Sequence, residues 1–87
     1  MTEEKAIFNC KTADVQMKAV AMLVQKASDF RSTIYIIKDG RRANAKSLLG
    51  VMSIGLEAGA EIEVSADGTD SNDAVKTLVE YLKDPKV

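Results

Sequence analysis

The chain has no histidine among its 87 residues, which removes the commonest general acid/base and the commonest zinc ligand. It has one cysteine, Cys10. A lone thiol cannot close an internal disulfide, which fits the reducing cytoplasm, and it excludes a zinc site built on several thiolates. Cys10 lies in a strand-like run, where a free cysteine is more often a small buried hydrophobe than a nucleophile. No signal peptide is visible, since the N-terminus opens with Thr2-Glu3-Glu4-Lys5, and no apolar run approaches the ~20 residues of a membrane span. No phosphate-cradling loop or nucleotide fingerprint is present. Neither sign of charge dominates: 12 basic against 13 acidic side chains leave a formal net charge of −1, which argues against direct nucleic-acid binding through a basic surface. The acidic pairs Glu3-Glu4 and Glu61/Glu63 read as solvated, the first at a terminus and the second on the outward face of an alternating run. These absences argue against catalysis by this chain alone, so no catalytic residue, metal site or cofactor is expected.

What is there suits one small domain over residues 1–87, with 46% apolar residues for a single modest core. Lys5 to Lys11 has a short strand pattern, with Ile7 opposed to Phe8 and Cys10 across the pleat. Thr12-Ala13-Asp14 reads as a turn or loop. From Gln16 the period changes: Ala19, Met22, Leu23, Ala27 and Phe30 follow one helical face, while Gln16, Lys18, Gln25, Lys26 and Asp29 fall largely outside it. Thr33-Ile34-Tyr35-Ile36-Ile37 is the best strand signal, and Asp39-Gly40 after it predicts a hairpin whose turn needs positive φ. In Glu61-Ile62-Glu63-Val64-Ser65-Ala66 the alternation is strict, with Ile62, Val64 and Ala66 facing inward. Asp67-Gly68 ends that strand. Asp70 is placed to cap a last helix with Asp73 three residues on, and Ala74, Val75, Leu78, Val79 and Leu82 form its buried stripe. The single proline, Pro85, marks the helix end. The order is β-α-β-β-α-β-α, without repeats, low-complexity tracts or a linker. It predicts an α+β domain with the helices gathered on one face of a largely antiparallel sheet.

The stretch Asn44-Ala45-Lys46-Ser47-Leu48-Leu49-Gly50-Val51-Met52-Ser53 carries the functional interest. A turn-forming Asn and a Lys lead into Ser47, and the following residues are apolar with helical character as far as Leu56. Gly55 or Ala58-Gly59 closes that helix. Leu48, Leu49, Val51, Met52, Ile54 and Leu56 supply more apolar surface than one buried face of a short helix hides, and an exposed apolar patch tends to bind something. Residue chemistry leaves two readings of Ser47. It is an N-cap, the common use of serine at a helix start, or it is also a phosphate acceptor, at a place where free N–H groups and the helix dipole favour negative charge.

The run Asn44 to Gly55 resembles the regulatory serine segment of the HPr family, the small phosphocarriers of the bacterial sugar phosphotransferase system. The resemblance covers nearly the whole chain, taking in the Asp39-Gly40 hairpin, Gly59-Ala60-Glu61-Ile62 before the last strand, and Asp67-Gly68 before the last helix. It implies an open-faced β-sandwich of four antiparallel strands covered by three helices. It also implies that Ser47 is phosphorylated by the ATP-dependent HPr kinase/phosphorylase. In phosphocarriers the loop before the first helix reads His-Ala-Arg-Pro-Ala, and that His carries the phosphoryl group. The equivalent run here is Gln16-Met17-Lys18-Ala19-Val20, and a neutral amide cannot form a phosphoimidazole. Gln in place of His marks the catabolite repression branch of the family, which Lys11-Thr12 and Val15-Gln16 also resemble. Lys18 stands where the family has Arg, keeping the charge without the bidentate fork. Ala19 stands where it has Pro, losing a preset φ angle.

The resemblance thus implies a non-catalytic regulator that, once phosphorylated on Ser47, docks on a LacI-type transcription regulator as co-repressor. Gln16, Lys18, Lys46, Leu48 and Met52 are the expected partner-binding residues. The alternatives are a true phosphocarrier, against which the missing His speaks directly, and an interaction domain that has lost both roles. Members resembling this branch can dimerise by exchanging the first strand, and a short loop such as Thr12–Val15 could act as the hinge, though nothing in the sequence demands it. Monomer and strand-swapped homodimer both stay open.

Overall fold

A computed structural model of the chain describes residues 1–10 and 13–85. The order is β1 (Thr2–Ile7), α1 (Ala13–Ser28), β2 (Thr33–Lys38), β3 (Arg41–Asn44), α2 (Leu48–Ser53), β4 (Glu61–Asp67) and α3 (Ser71–Lys83), as the sequence pattern predicts. The strands form one antiparallel sheet in the order β1-β4-β2-β3. The helices cover one face, and the opposite face is open, so the architecture is an α+β open-faced sandwich.

The alternation in β4 decides which face is covered. Ile62, Val64 and Ala66 are buried beneath the helices, with Ile34 and Ile36 beside them on β2 and Ala6 and Phe8 from the β1 side. The helical layer adds Ala19, Leu23 and Ala27 from α1, Val75, Leu78 and Leu82 from α3 and Val51 from α2 to the same core. Ser65 departs from the pattern, being buried on the open side. Its strand is central, and its cross-strand neighbours Glu3 and Tyr35 flank it from both sides.

At the hairpin, Lys38 pairs with Arg41, and Asp39 and Gly40 take φ of 51° and 78°. Positive φ at both central residues gives the turn whose twist suits two antiparallel strands, and Asp-Gly tolerates it best. The Arg42 guanidinium lies 4.4 Å from the centre of the Tyr35 ring across this hairpin.

Five expectations need correction, Phe30 being taken with the second. The first strand is not Lys5–Lys11: it starts at Thr2 and ends at Ile7. Beyond Ile7 the burial alternation persists, which is why the run reads as a strand, but the backbone changes partners. Phe8 N–H donates to Ala60 C=O at 2.9 Å, Gly59 N–H to Phe8 C=O at 2.8 Å, and Asn9 N–H to Leu82 C=O at 2.9 Å. Thr2 to Glu4 are strand despite polar side chains, because pairing with β4 uses only their backbone groups. Second, Ala13 and Asp14, expected in a loop, already belong to α1; Lys11 and Thr12 lie outside the described residues. Phe30, placed on the helical stripe, follows the helix end and packs only partly against the core, whereas Val20 is buried.

Third, Asp70 occupies the N-cap position of α3 but makes no side-chain cap bond. Its carboxylate turns to the segment before β2, accepting from Arg31 N–H at 2.8 Å, from Ser32 N–H at 2.9 Å and from the Ser32 hydroxyl. The Ser32 hydroxyl, followed by the two N–H groups, lowers the Asp70 pKa below its ordinary 3.8. Fourth, the short helix after Ser47 stops at Ser53 instead of reaching Leu56: Ile54 is its C-cap and Gly55 follows at φ 72°.

Tyr81 joins the buried face of α3 alongside the predicted stripe. Among the described residues its hydroxyl is buried without a hydrogen-bond partner, while the Lys26 ammonium sits 5.2 Å from its ring centre. Burial, with Cys10 as a smaller cause, raises its pKa above 10.0. α3 ends at Lys83 with Pro85 two residues on, where a ring without N–H cannot continue a helix.

Candidate functional site

The candidate site is built where α2 meets the start of α1. Asn44 ends β3, and its side-chain oxygen accepts from Lys46 N–H at 2.9 Å while its carbonyl accepts from Ser47 N–H at 3.0 Å. This double turn delivers Ser47 to the N-cap of α2 with extended backbone, φ −109° and ψ 111°, and its Oγ accepts from Gly50 N–H at 3.1 Å. A Cβ at position 50 would lie 3.3 Å from that Oγ, so glycine keeps the space around the hydroxyl open. The N-cap reading of Ser47 therefore holds in full, and the side chain is half-buried at the surface.

α2 is amphipathic in an unusual proportion. Val51 points into the core, whereas Leu48, Leu49 and Met52 are 43%, 79% and 42% exposed. Leu48 and Met52 are one turn apart on the same face. Across from them Met17, 55% exposed on α1, completes an apolar surface that spans both helices. Between the helices lies a cleft of about 200 Å³ lined by Gln16, Met17, Val20, Met52, Gly55 and Leu56.

Of the expected partner-binding residues, Gln16 and Met52 are brought together on this cleft, and Leu48 joins Met52 on one helix face. Gln16 is committed internally as well, since its amide Nε2 donates to Leu56 C=O at 2.5 Å. Lys46 points its ammonium to Phe30 C=O at 2.7 Å, tying the loop before Ser47 to the segment after α1. Lys18 is exposed and does not line the cleft. Sequence reasoning missed Met17, Val20, Gly55 and Leu56 as lining residues. Met17 carried a signal: an apolar residue beside, but not on, the Ala19/Leu23/Ala27 stripe of a surface helix must face something other than the core. Nothing local marks Gly55 and Leu56, because the α1 residues facing them lie some forty positions earlier in the chain.

Chemically, the arrangement offers a surface hydroxyl beside an apolar patch. Among the described residues no group of three or more His, Cys, Asp or Glu is placed to hold a metal ion, and no helix is long and apolar enough to cross a membrane.

Comparison with known proteins bears on the whole of this architecture. The family model of the PTS HPr component phosphorylation site matches residues 4–84. The HPr-like protein Crh of Bacillus subtilis is 34% identical over 84 residues, covering 97% of this chain and 98% of its own. The crystal structure of HPr-C-His from Thermoanaerobacter tengcongensis superposes with a TM-score of 0.87 at 34% identity, each chain covered completely. A crystal structure of the Bacillus subtilis catabolite repression protein Crh, a dimer with a swapped domain, covers 100% of this chain and 94% of its own at 29% identity and a TM-score of 0.74. With the family match running through every strand and helix of the sandwich, the chain belongs to the HPr family and is similar within it to the HPr-like protein Crh.

Proposed function

We propose that this protein is a non-catalytic regulator of carbon catabolite repression, phosphorylated on Ser47 by an ATP-dependent HPr kinase/phosphorylase and then bound by a LacI-type transcription regulator as its co-repressor. The observation that carries the reading is the lack of histidine in a chain of this family. With Gln16 in place of a phosphorylatable imidazole, the relay of a phosphoryl group from protein to protein has no histidine acceptor, and a phosphorylated form has to be made on a hydroxyl side chain. Support for Ser47 comes from its place at the head of α2, with Lys46 before it and Leu48, Leu49 and Met52 exposed beside it. The kinase transfers the γ-phosphoryl group of ATP to the hydroxyl oxygen, ADP leaves, and a base on the kinase takes the hydroxyl proton. The modified residue then carries about −1.5 to −2 charges and strong acceptor oxygens next to an apolar face. A partner with a cationic cluster beside a hydrophobic groove reads both at once. The chain works in the cytoplasm in this reading, needs no cofactor of its own, and contacts DNA only through its partner. It is a monomer or a strand-swapped homodimer, and β1, an edge strand paired only with β4, is the segment to exchange.

The test is incubation with HPr kinase and ATP, followed by mass spectrometry that maps phosphate over the peptides of the whole chain. One phosphate on Ser47, abolished in Ser47→Ala, is the expected result. Phosphate on Ser28, Ser32 or Ser53 shows that the wrong serine has been chosen, and no phosphate leaves the chain an interaction domain of the HPr fold.

A further inference from the structure

The loop that joins α2 to β4 is gripped from two sides by elements distant in sequence. From α1, Gln16 Nε2 donates to Leu56 C=O at 2.5 Å. From β2, Lys38 Nζ donates to the adjacent carbonyl, Gly55 C=O, at 2.7 Å and reaches Glu57 Oε1 at 3.3 Å. Lys38 follows Ile34 and Ile36 on the covered side of the sheet, so its stem runs beneath the helical layer and its side chain is only 12% exposed. Glu57, by contrast, is 71% exposed, and an ion pair with so solvated a carboxylate contributes little. The directional hold is therefore the ammonium on the carbonyl. Carbonyls past the last turn of a helix have no partner within it, and these two are met from outside.

Gly55 and Leu56 are also one wall of the cleft, and Gln16 and Met17 are the other. Gln16 thus spans the cleft from one wall to the other, and Lys38 ties the Gly55/Leu56 wall to the sheet. We infer that Gln16 and Lys38 are positioning residues, Gln16 holding the α2–β4 loop against α1 and Lys38 holding it against β2, which together keep the Met17/Met52 cleft formed before any partner arrives. Neither donor needs to touch that partner. Gln16 suits the task because its amide donates at every pH and brings no charge into an apolar wall. Pre-formation matters because a cleft assembled only on binding spends part of the interaction on ordering loop and side chains. The effect on affinity rests on the partner reading proposed above; the effect on the cleft does not.

The experiment uses the full chain labelled at its methionine methyl groups. Gln16→Glu keeps the shape and, ionised, loses the donor. Lys38→Met keeps most of the stem and loses the ammonium, and Lys38→Arg restores a donor. The Met17 and Met52 methyl resonances should shift or broaden in Gln16→Glu and in Lys38→Met, return towards wild type in Lys38→Arg, and leave Met22, which packs on the core, unmoved. After Ser47 phosphorylation, the affinity of Gln16→Glu and Lys38→Met for a LacI-type regulator should fall about three- to tenfold, the size expected for ordering a few side chains on binding. Unchanged Met17 and Met52 signals in folded variants overturn the inference, and so do shifts that spread equally to Met22. Where Lys38→Met fails to fold, Gln16→Glu decides alone. If the wild type does not bind the regulator, the functional reading falls, and the methyl signals still judge the positioning role.

Discussion

The carboxylate of Asp70 joins two segments distant in sequence, since it stands at the head of α3 and takes three hydrogen bonds from Arg31 and Ser32 just before β2. Those donors favour the ionised form and lower its pKa below 3.8. A carboxylate with a depressed folded pKa contributes stability that is present above its unfolded pKa and lost as pH falls through the folded value. Asp70→Asn should therefore be less stable than wild type at neutral pH and lose less on acidification. Denaturant midpoints taken from about pH 6 down to about pH 2 check it, and equal slopes for the two proteins would remove Asp70 from the acid response. The sequence marked this residue as a cap three positions before Asp73. It could not show that Ser32 and Arg31, thirty-eight and thirty-nine residues earlier, offer a better set of donors than the first turn of α3.

Two elements carry predictions of their own. Gly68 lies in the turn between β4 and α3, where a Cβ would come within 2.6 Å of Ser32 Oγ and 2.7 Å of Ser32 Cα. The hydroxyl could rotate away, but the backbone atom cannot, and it belongs to the segment Asp70 holds. Gly68→Ala should destabilise the protein by about 1–3 kcal/mol through overpacking, read as a fall in the thermal midpoint; an unchanged midpoint would mean that the junction yields. α2 makes the second case. In the proposed function its exposed face is needed for docking together with the phosphate. Met52→Asp should then weaken binding of the Ser47-phosphorylated chain to a LacI-type regulator by about tenfold or more, a charge entering an apolar contact, while Ser47 is still phosphorylated and the fold is kept. Lys18→Ala, remote from the cleft lining, should cost less. Calorimetric titration of the phosphorylated wild type and both variants decides, and a Met52→Asp variant as tight as wild type would reduce that face to a structural remnant. Helical periodicity revealed that α2 had an apolar surplus. It did not reveal that Leu49 would be the most exposed part of it, because which side of a six-residue helix meets the core depends on how α2 lies on β3 and α1.

For the whole molecule, the missing imidazole makes a prediction that no single site does: phosphoenolpyruvate with the first enzyme of the phosphotransferase system should leave the chain unphosphorylated. An acid-labile, base-stable phosphoryl group on the intact protein, found by mass change under those conditions, would contradict it. The architecture was legible because each piece of it is written locally. Period two in Glu61–Ala66 and period 3.6 in Ala74–Leu82 follow from which side chains share a face, and Asp39-Gly40 follows from the φ values a tight hairpin demands. Ser47 as the head of a helix was legible for the same reason, since an N-cap bond spans three residues. Element order, the covered face of the sheet and the capping serine were thus determined by the sequence alone. Only the tertiary structure decided that β1 ends at Ile7, where its backbone turns to Ala60 and Leu82, that Asp70 serves β2 instead of its own helix, and that Gln16 and Lys38 converge on neighbouring carbonyls to shape a cleft. A hydrogen bond between residues seventeen or forty positions apart leaves no periodic trace, because its partners are chosen by the packing of whole elements and not by the chain on either side.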